Sequence, residues 1–219
     1  MAGRIGTWHL LLSLCAAVML PGCGTDLREA LKSRRQIEEQ TPFVPVPASQ
    51  SWVNAPGTVL VTQRGLRGES EQRIGLLNDT ALPGENLIVI RAATQGANPG
   101  RFRFERFLQL VGGAPAPFAD ISAGELQQGR DEIGTYFWAE RPMGAGVVCV
   151  LALRRVTEGQ RLLPMNAASM DMMLRNCARG GADKALQPLL DDSISTAPVS
   201  GTSAGSSLMM SPLAAPGMR

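Results

Sequence analysis

The chain has 219 residues, 44% apolar and 18% charged, with a formal net charge of +2 and one histidine, His9. That length and apolar content allow one modest core, and the near-neutral balance offers no basic face for nucleic acid. Only four cysteines are present, too few for a disulfide-dense scaffold.

Arg4 opens a positive segment, and residues 10–20 are apolar apart from Ser13. That run is too short for a permanent membrane helix and ends at small residues, so it reads as a cleaved secretory signal over residues 1–22. The Leu20-Pro21-Gly22-Cys23 sequence resembles the lipobox of bacterial lipoproteins, with Pro21 unusual at its place. The resemblance implies cleavage before Cys23 and acylation of that cysteine, as with palmitate; Gly24 rather than Asp after it favours the outer membrane, facing the periplasm. An ordinary signal peptide with Cys23 in a disulfide is the other reading.

Cleavage removes His9, and with it any histidine base, triad or metal ligand. No cofactor and no metal site are therefore expected. Cys15 goes with the signal and Cys23 takes the lipid, leaving Cys149 and Cys177. In an oxidising compartment these two most simply form one disulfide, though two separate buried thiols would also fit. Their spacing matches no zinc or thioredoxin-like motif.

Residues 24–40 are charged and read as a short helix or tether. Residues 41–56 hold Pro42, Pro45, Pro47 and Pro56 and read as an extended linker, so residues 23–56 form an anchored tether. Trp52 stands where it can dock on the domain, which is expected at residues 57–192. Strands are expected at residues 58–64, 70–78 and 86–91, from β-branched or continuous apolar runs between turn signals. In residues 101–107, arginine and phenylalanine alternate. That pattern suits a strand with the rings inward and the charges in water. It would also suit a groove in which Arg101, Arg103 and Arg106 meet an anionic or sugar ligand.

Ser122-Ala123-Gly124-Glu125 has the form of a capping box and predicts a short helix to about Ile133. Tyr136-Phe137-Trp138 reads as a strand or an aromatic wedge. Residues 147–154 make the strongest strand and residues 170–177 another, so the disulfide would join neighbouring strands. Residues 182–190 predict a closing helix with Leu186, Leu189 and Leu190 inward. Residues 193–219, rich in Ser, Ala, Gly, Pro and Met, read as a disordered tail. The fold class expected is α+β: one small domain, mostly antiparallel sheet, with one or two short helices.

Several segments occur in a suggestive order: Gln63-Arg64 in a strand, Ser70-Glu71-Gln72, then Leu82-Pro83-Gly84-Glu85-Asn86 before an apolar strand. Later come Gly144-Ala145-Gly146-Val147-Val148-Cys149-Val150 and Arg175-Asn176-Cys177. In this order the chain resembles the BcsN family of cellulose biosynthesis accessory proteins. It departs from that pattern after Cys149, where the family carries aromatic residues and this chain has Val150, Leu151 and Ala152. The resemblance implies an accessory envelope role in cellulose production or export, with no catalytic activity to carry over.

Three function classes are open to such a chain. A non-catalytic lipoprotein supporting cellulose or other exopolysaccharide synthesis would use the membrane through its anchor, synthase or export components, and glucan. Its ligand contacts would be Trp138, Tyr136, Arg101 and Arg103, with Trp52 and Arg106 nearby. A glycoside hydrolase would need two facing carboxylates, and the pairs Asp131-Glu132 and Asp191-Asp192 are the candidates; the chain is read as not an enzyme. A structural lipoprotein of another envelope assembly, such as a secretion or pilus apparatus, is the alternative.

Overall fold

A computed structural model describes residues 34–94 and 102–195 of the chain. The signal segment, Cys23, Arg101 and most of the expected tail lie outside the described residues. The chain divides into two units, Met1–Pro42 and Phe43–Arg219. In the first, helix α1 (Arg34–Gln40) is followed by Thr41, whose hydroxyl donates to the Ile37 carbonyl at 2.7 Å. No helix among the described residues is long and apolar enough to cross a membrane.

The second unit is an eight-stranded sheet, entirely antiparallel, and the domain is a small α+β fold dominated by it. The strands are β1 (Val44–Val46), β2 (Thr58–Leu66), β3 (Glu69–Leu76), β4 (Asn86–Thr94), β5 (Gln127–Asp131), β6 (Gly134–Gly144), β7 (Val147–Thr157) and β8 (Ala167–Arg179). Their spatial order is β1-β2-β3-β4-β8-β7-β6-β5. Two four-stranded meanders therefore meet at β4 and β8, and the chain between β4 and β5 travels from the centre to the far edge. The expected strands at residues 58–64, 70–78, 86–91, 147–154 and 170–177 correspond to β2, β3, β4, β7 and β8.

Both faces of the central strands are buried, which is why β4, β7 and β8 read as nearly continuous apolar runs. On the first face Ile74, Ile88, Ile90, Val150, Ala152, Met172 and Leu174 form one cluster. It is roofed by Trp52 and Val53 from one side and by Leu186, Leu189 and Ile194 from the other. Helix α3 (Ala182–Leu186), a 3-10 turn (Gln187–Leu189) and helix α4 (Asp191–Ser195) supply the second group. The closing helix is thus broken at Pro188, and Ser193 and Ile194, expected in the tail, are buried parts of the domain.

The second face carries Val89, Ala139, Cys149, Leu151, Leu153, Met173 and Cys177 under Phe104, Phe107, Phe118 and Ile121. Its cover includes helix α2 (Phe104–Val111), where the arginine–phenylalanine alternation led to the expectation of a strand. The apolar positions Phe104, Phe107, Leu108 and Val111 have a helical i, i+3, i+4, i+7 spacing. The first two are buried and the others half-buried, while Arg103, Glu105 and Arg106 are exposed. Gly112, at φ 94°, ends the helix in the left-handed conformation that costs glycine least.

The helix expected after Ser122 is likewise corrected. The Glu125 carboxylate does accept the Ser122 backbone N–H at 2.9 Å, but it closes only a 3-10 turn, Ala123–Glu125. A helix to residue 133 would have held Gly124 and Gly129 in its interior with no apolar stripe. Pairing with β6 wins instead, and β5 becomes an edge strand.

The folded unit also starts earlier than the Gly57 boundary expected. Val44, Pro45 and Val46 pair with Gln63, Thr62 and Val61, and Trp52 is 1% exposed. Gln72, buried on β3, explains this docking. Its Oε1 accepts the Trp52 N–H at 2.8 Å, and its Nε2 donates to the Gln50 carbonyl at 3.1 Å. A proline-rich extended segment is stereochemically suited to an edge strand, where a missing N–H faces outward.

Candidate functional site

On the second face, one register row consists almost wholly of charge. Arg64, Glu71, Arg91, Asp171 and Arg155 are successive Cα partners across β2, β3, β4, β8 and β7. Directly opposed side chains share a face, so the alternation of sign runs across five strands. Glu71 has a fully buried side chain and collects three guanidiniums. Its Oε2 accepts from Arg64 Nη2 at 2.6 Å and Arg91 Nη2 at 3.0 Å, and its Oε1 accepts from Arg73 Nε at 3.2 Å. Asp171 holds Arg155 bidentately, at 2.5 and 2.6 Å.

Rings close both ends of the row. Arg64 and Arg73 lie 4.4 and 4.5 Å from the Phe43 ring centroid, and Arg155 lies 5.5 Å from that of Phe102. Glu69 also stands beside Arg91, at 3.5 Å. Arg73 is the member most open to water, its side chain 44% exposed. Burial at such a row demands pairing, since an unpaired charge in a protein interior costs several kcal/mol.

A second ionic centre lies on the first face. Arg154 is 1% exposed and forks onto both oxygens of Asp131, with Nη1 at 2.6 Å from Oδ2. It also donates to the Leu189 carbonyl at 3.2 Å. Asp131 accepts the amides of Asp191, Ile133 and Gly134 at 3.0, 3.1 and 3.2 Å, and the Glu132 N–H donates to Asp191 at 3.4 Å. The two sequence pairs weighed as hydrolase carboxylates do come together, therefore, but as a lock between the β5–β6 turn and the start of α4. Burial raises the Asp131 pKa, yet the Arg154 bonds and charge and the amides of Asp191 and Gly134 outweigh it and hold the group below its ordinary value. A carboxyl so held is ionised and fully engaged, the wrong state for a general acid.

The residues expected to contact ligand are divided between the faces. Tyr136 and Trp138, half-buried on β6, pack against the first-face cluster, where Tyr136 is opposite Arg154 and Trp138 opposite Ala152. Burial and then the Asp131 charge push the Tyr136 phenol upward, so it stays neutral. Arg103 is exposed at the start of α2, on the other side of the sheet, and Arg106 is exposed one turn on. The structure does not bring these arginines and aromatics into one groove. The Tyr136 ring instead lies across Gly129 on β5, its Cα partner, and fills the space a Cβ would occupy there. Sequence reading missed Phe43, Arg64, Arg73, Glu71, Arg91, Asp171 and Arg155 as a set. The strand residues among them share the second face, but only the register aligns Arg64, Glu71, Arg91, Asp171 and Arg155 in one row.

Cys149 and Cys177 form a disulfide between directly opposed residues of β7 and β8, Cα atoms 3.9 Å apart. Both are buried. Asn86 backs this end of the sheet: its Oδ1 accepts the Cys177 N–H at 2.9 Å and Arg175 Nη1 at 2.8 Å. Beside it opens a cleft of about 240 Å³ lined by Gly57, Leu77, Asp79, Asn176, Lys184 and Pro188 among others, small for an organic ligand site. No group of three metal-ligating side chains occurs among the described residues. The chain matches no protein-family model, no curated protein and no solved structure.

Proposed function

We propose that this protein is a non-catalytic lipoprotein of the cell envelope, anchored through Cys23 in the outer membrane, that supports cellulose or related exopolysaccharide synthesis or export. The observation that best supports an envelope location is the buried Cys149–Cys177 disulfide. Such bonds persist in oxidising compartments and are rare in the reducing cytosol of mesophiles, in keeping with the signal and lipobox read from the first residues. The cellulose assignment rests on the resemblance to the BcsN family. The engagement of Asp131 and Asp191 in a structural lock favours an accessory role over hydrolysis.

Deletion of the gene, with cellulose measured by dye binding, tests the reading. Loss of cellulose, restored by wild type and not by a Cys23→Ala allele, is expected. Unchanged cellulose while the pathway is active would redirect the protein to another envelope assembly, such as a secretion or pilus apparatus. Restoration by Cys23→Ala would show the anchor to be dispensable.

A further inference from the structure

Strand β8 outruns β4. Their last Cα pair at this end is Leu87 with Arg175, while β8 continues beside β7 to Arg179. The Asn86 side chain stands in for the missing strand, accepting the Cys177 N–H at 2.9 Å and donating to the Cys177 carbonyl at 3.0 Å. A side-chain amide reaches less far than a strand, and the notch that remains is the cleft of about 240 Å³. Asn176 and Ala178 of β8 line it from the first face, the face of Met172 and Leu174. Leu76 and Leu77 at the end of β3, with Lys184 and Gln187 from the cover, complete most of the lining.

The fold leaves the polar groups of this cleft without partners. Asn176 is 7% exposed. Its Nδ2 donates to the Ala185 carbonyl at 2.9 Å, which fixes the amide. Its Oδ1 accepts from no group among the described residues and is open to the cleft. An acceptor so enclosed calls for a donor. Asp79 and Lys184, of opposite sign, line the same cleft without pairing, and neither side chain has a hydrogen bond or ion pair among the described residues. A molecule carrying both charges would satisfy the two at once: Asp79 and Asn176 Oδ1 accept from an ammonium, and Lys184 donates to a carboxylate. None of the lining residues is aromatic, so a sugar ring has no platform, while Leu76 and Leu77 offer wall to an aliphatic body. The volume falls short of the pockets that hold drug-sized ligands, yet it takes about eight waters at ~30 Å³ each, the size of one amino acid.

We propose that this cleft binds an aliphatic amino acid as its zwitterion, the ammonium between Asp79 and Asn176, the carboxylate on Lys184 and the side chain against Leu76 and Leu77. The test is equilibrium dialysis of labelled leucine against the full-length oxidised protein, with isopentylamine, 4-methylpentanoate and cellobiose as competitors. One saturable site is expected. Isopentylamine and 4-methylpentanoate should displace leucine poorly, since each lacks one of its charges, and cellobiose should not displace it. Asp79→Asn and Lys184→Gln, both at exposed positions whose side chains bond to nothing in the domain, are each expected to weaken leucine binding about tenfold or more. Absence of saturable binding, a one-charge competitor matching leucine, displacement by cellobiose, or wild-type affinity in both variants would overturn the proposal.

Discussion

Gly129 and Tyr136 show how a residue that looks functional can be consumed by packing. A tyrosine in an aromatic triplet suggests a sugar platform, but here its ring covers a glycine on the edge strand. Gly129→Ala should displace that ring and destabilise the domain by about 1–3 kcal/mol, the usual range for overpacking, as measured by denaturant unfolding. Asp131 offers a second test at this scale. Its pKa is lowered on folding from an ordinary 3.8, so its contribution is complete at pH values well above that figure. The contribution is lost as pH falls through the lower folded value. Asp131→Asn should cost about 3 kcal/mol or more at neutral pH by leaving Arg154 buried without its partner. It should also flatten the loss of stability that the wild type shows in acid, which pH-dependent denaturant unfolding of the two proteins would measure.

Among the elements, the strands of the sheet centre were the most legible because they are buried on both faces and therefore written in continuous apolar residues. The segment at residues 101–111 was not. Arg and Phe alternate with the strand period only over residues 101–104; Phe107 falls out of phase with it, and with Phe104, Leu108 and Val111 it makes the helical stripe. Ser122 and Glu125 gave a correct local bond but the wrong element, since a cap closes one turn and leaves the next residues free to pair with β6. Cys149 and Cys177 were legible as a pair once Cys15 was given to the signal and Cys23 to the lipid, with two separate thiols the other reading, and the register places them opposite one another on β7 and β8. Replacing both with Ala should lower stability by about 3–4 kcal/mol, the chain-entropy expectation for a loop of this length. The check is chemical denaturation of the oxidised protein against the double variant, with circular dichroism to establish that the variant keeps its sheet.

At the scale of the molecule, the α+β class was legible in the spacing of turn signals, while the charge row and the early domain start were not. Both depend on contacts between residues far apart in sequence: Gln72 reaching back to Trp52 and Gln50, and five strands sharing one register. Local periodicity carries no record of either. A lipid on Cys23 and an oxidised pair inside the domain together define the envelope protein proposed above. Both are tested most directly by the mass of the protein purified from the membranes of the cells that make it, before and after reduction. A chain beginning at acylated Cys23 is expected, with a mass that rises by two hydrogens when Cys149–Cys177 is reduced. A chain that keeps residues 1–22, carries no acyl group and gains nothing on reduction would contradict it.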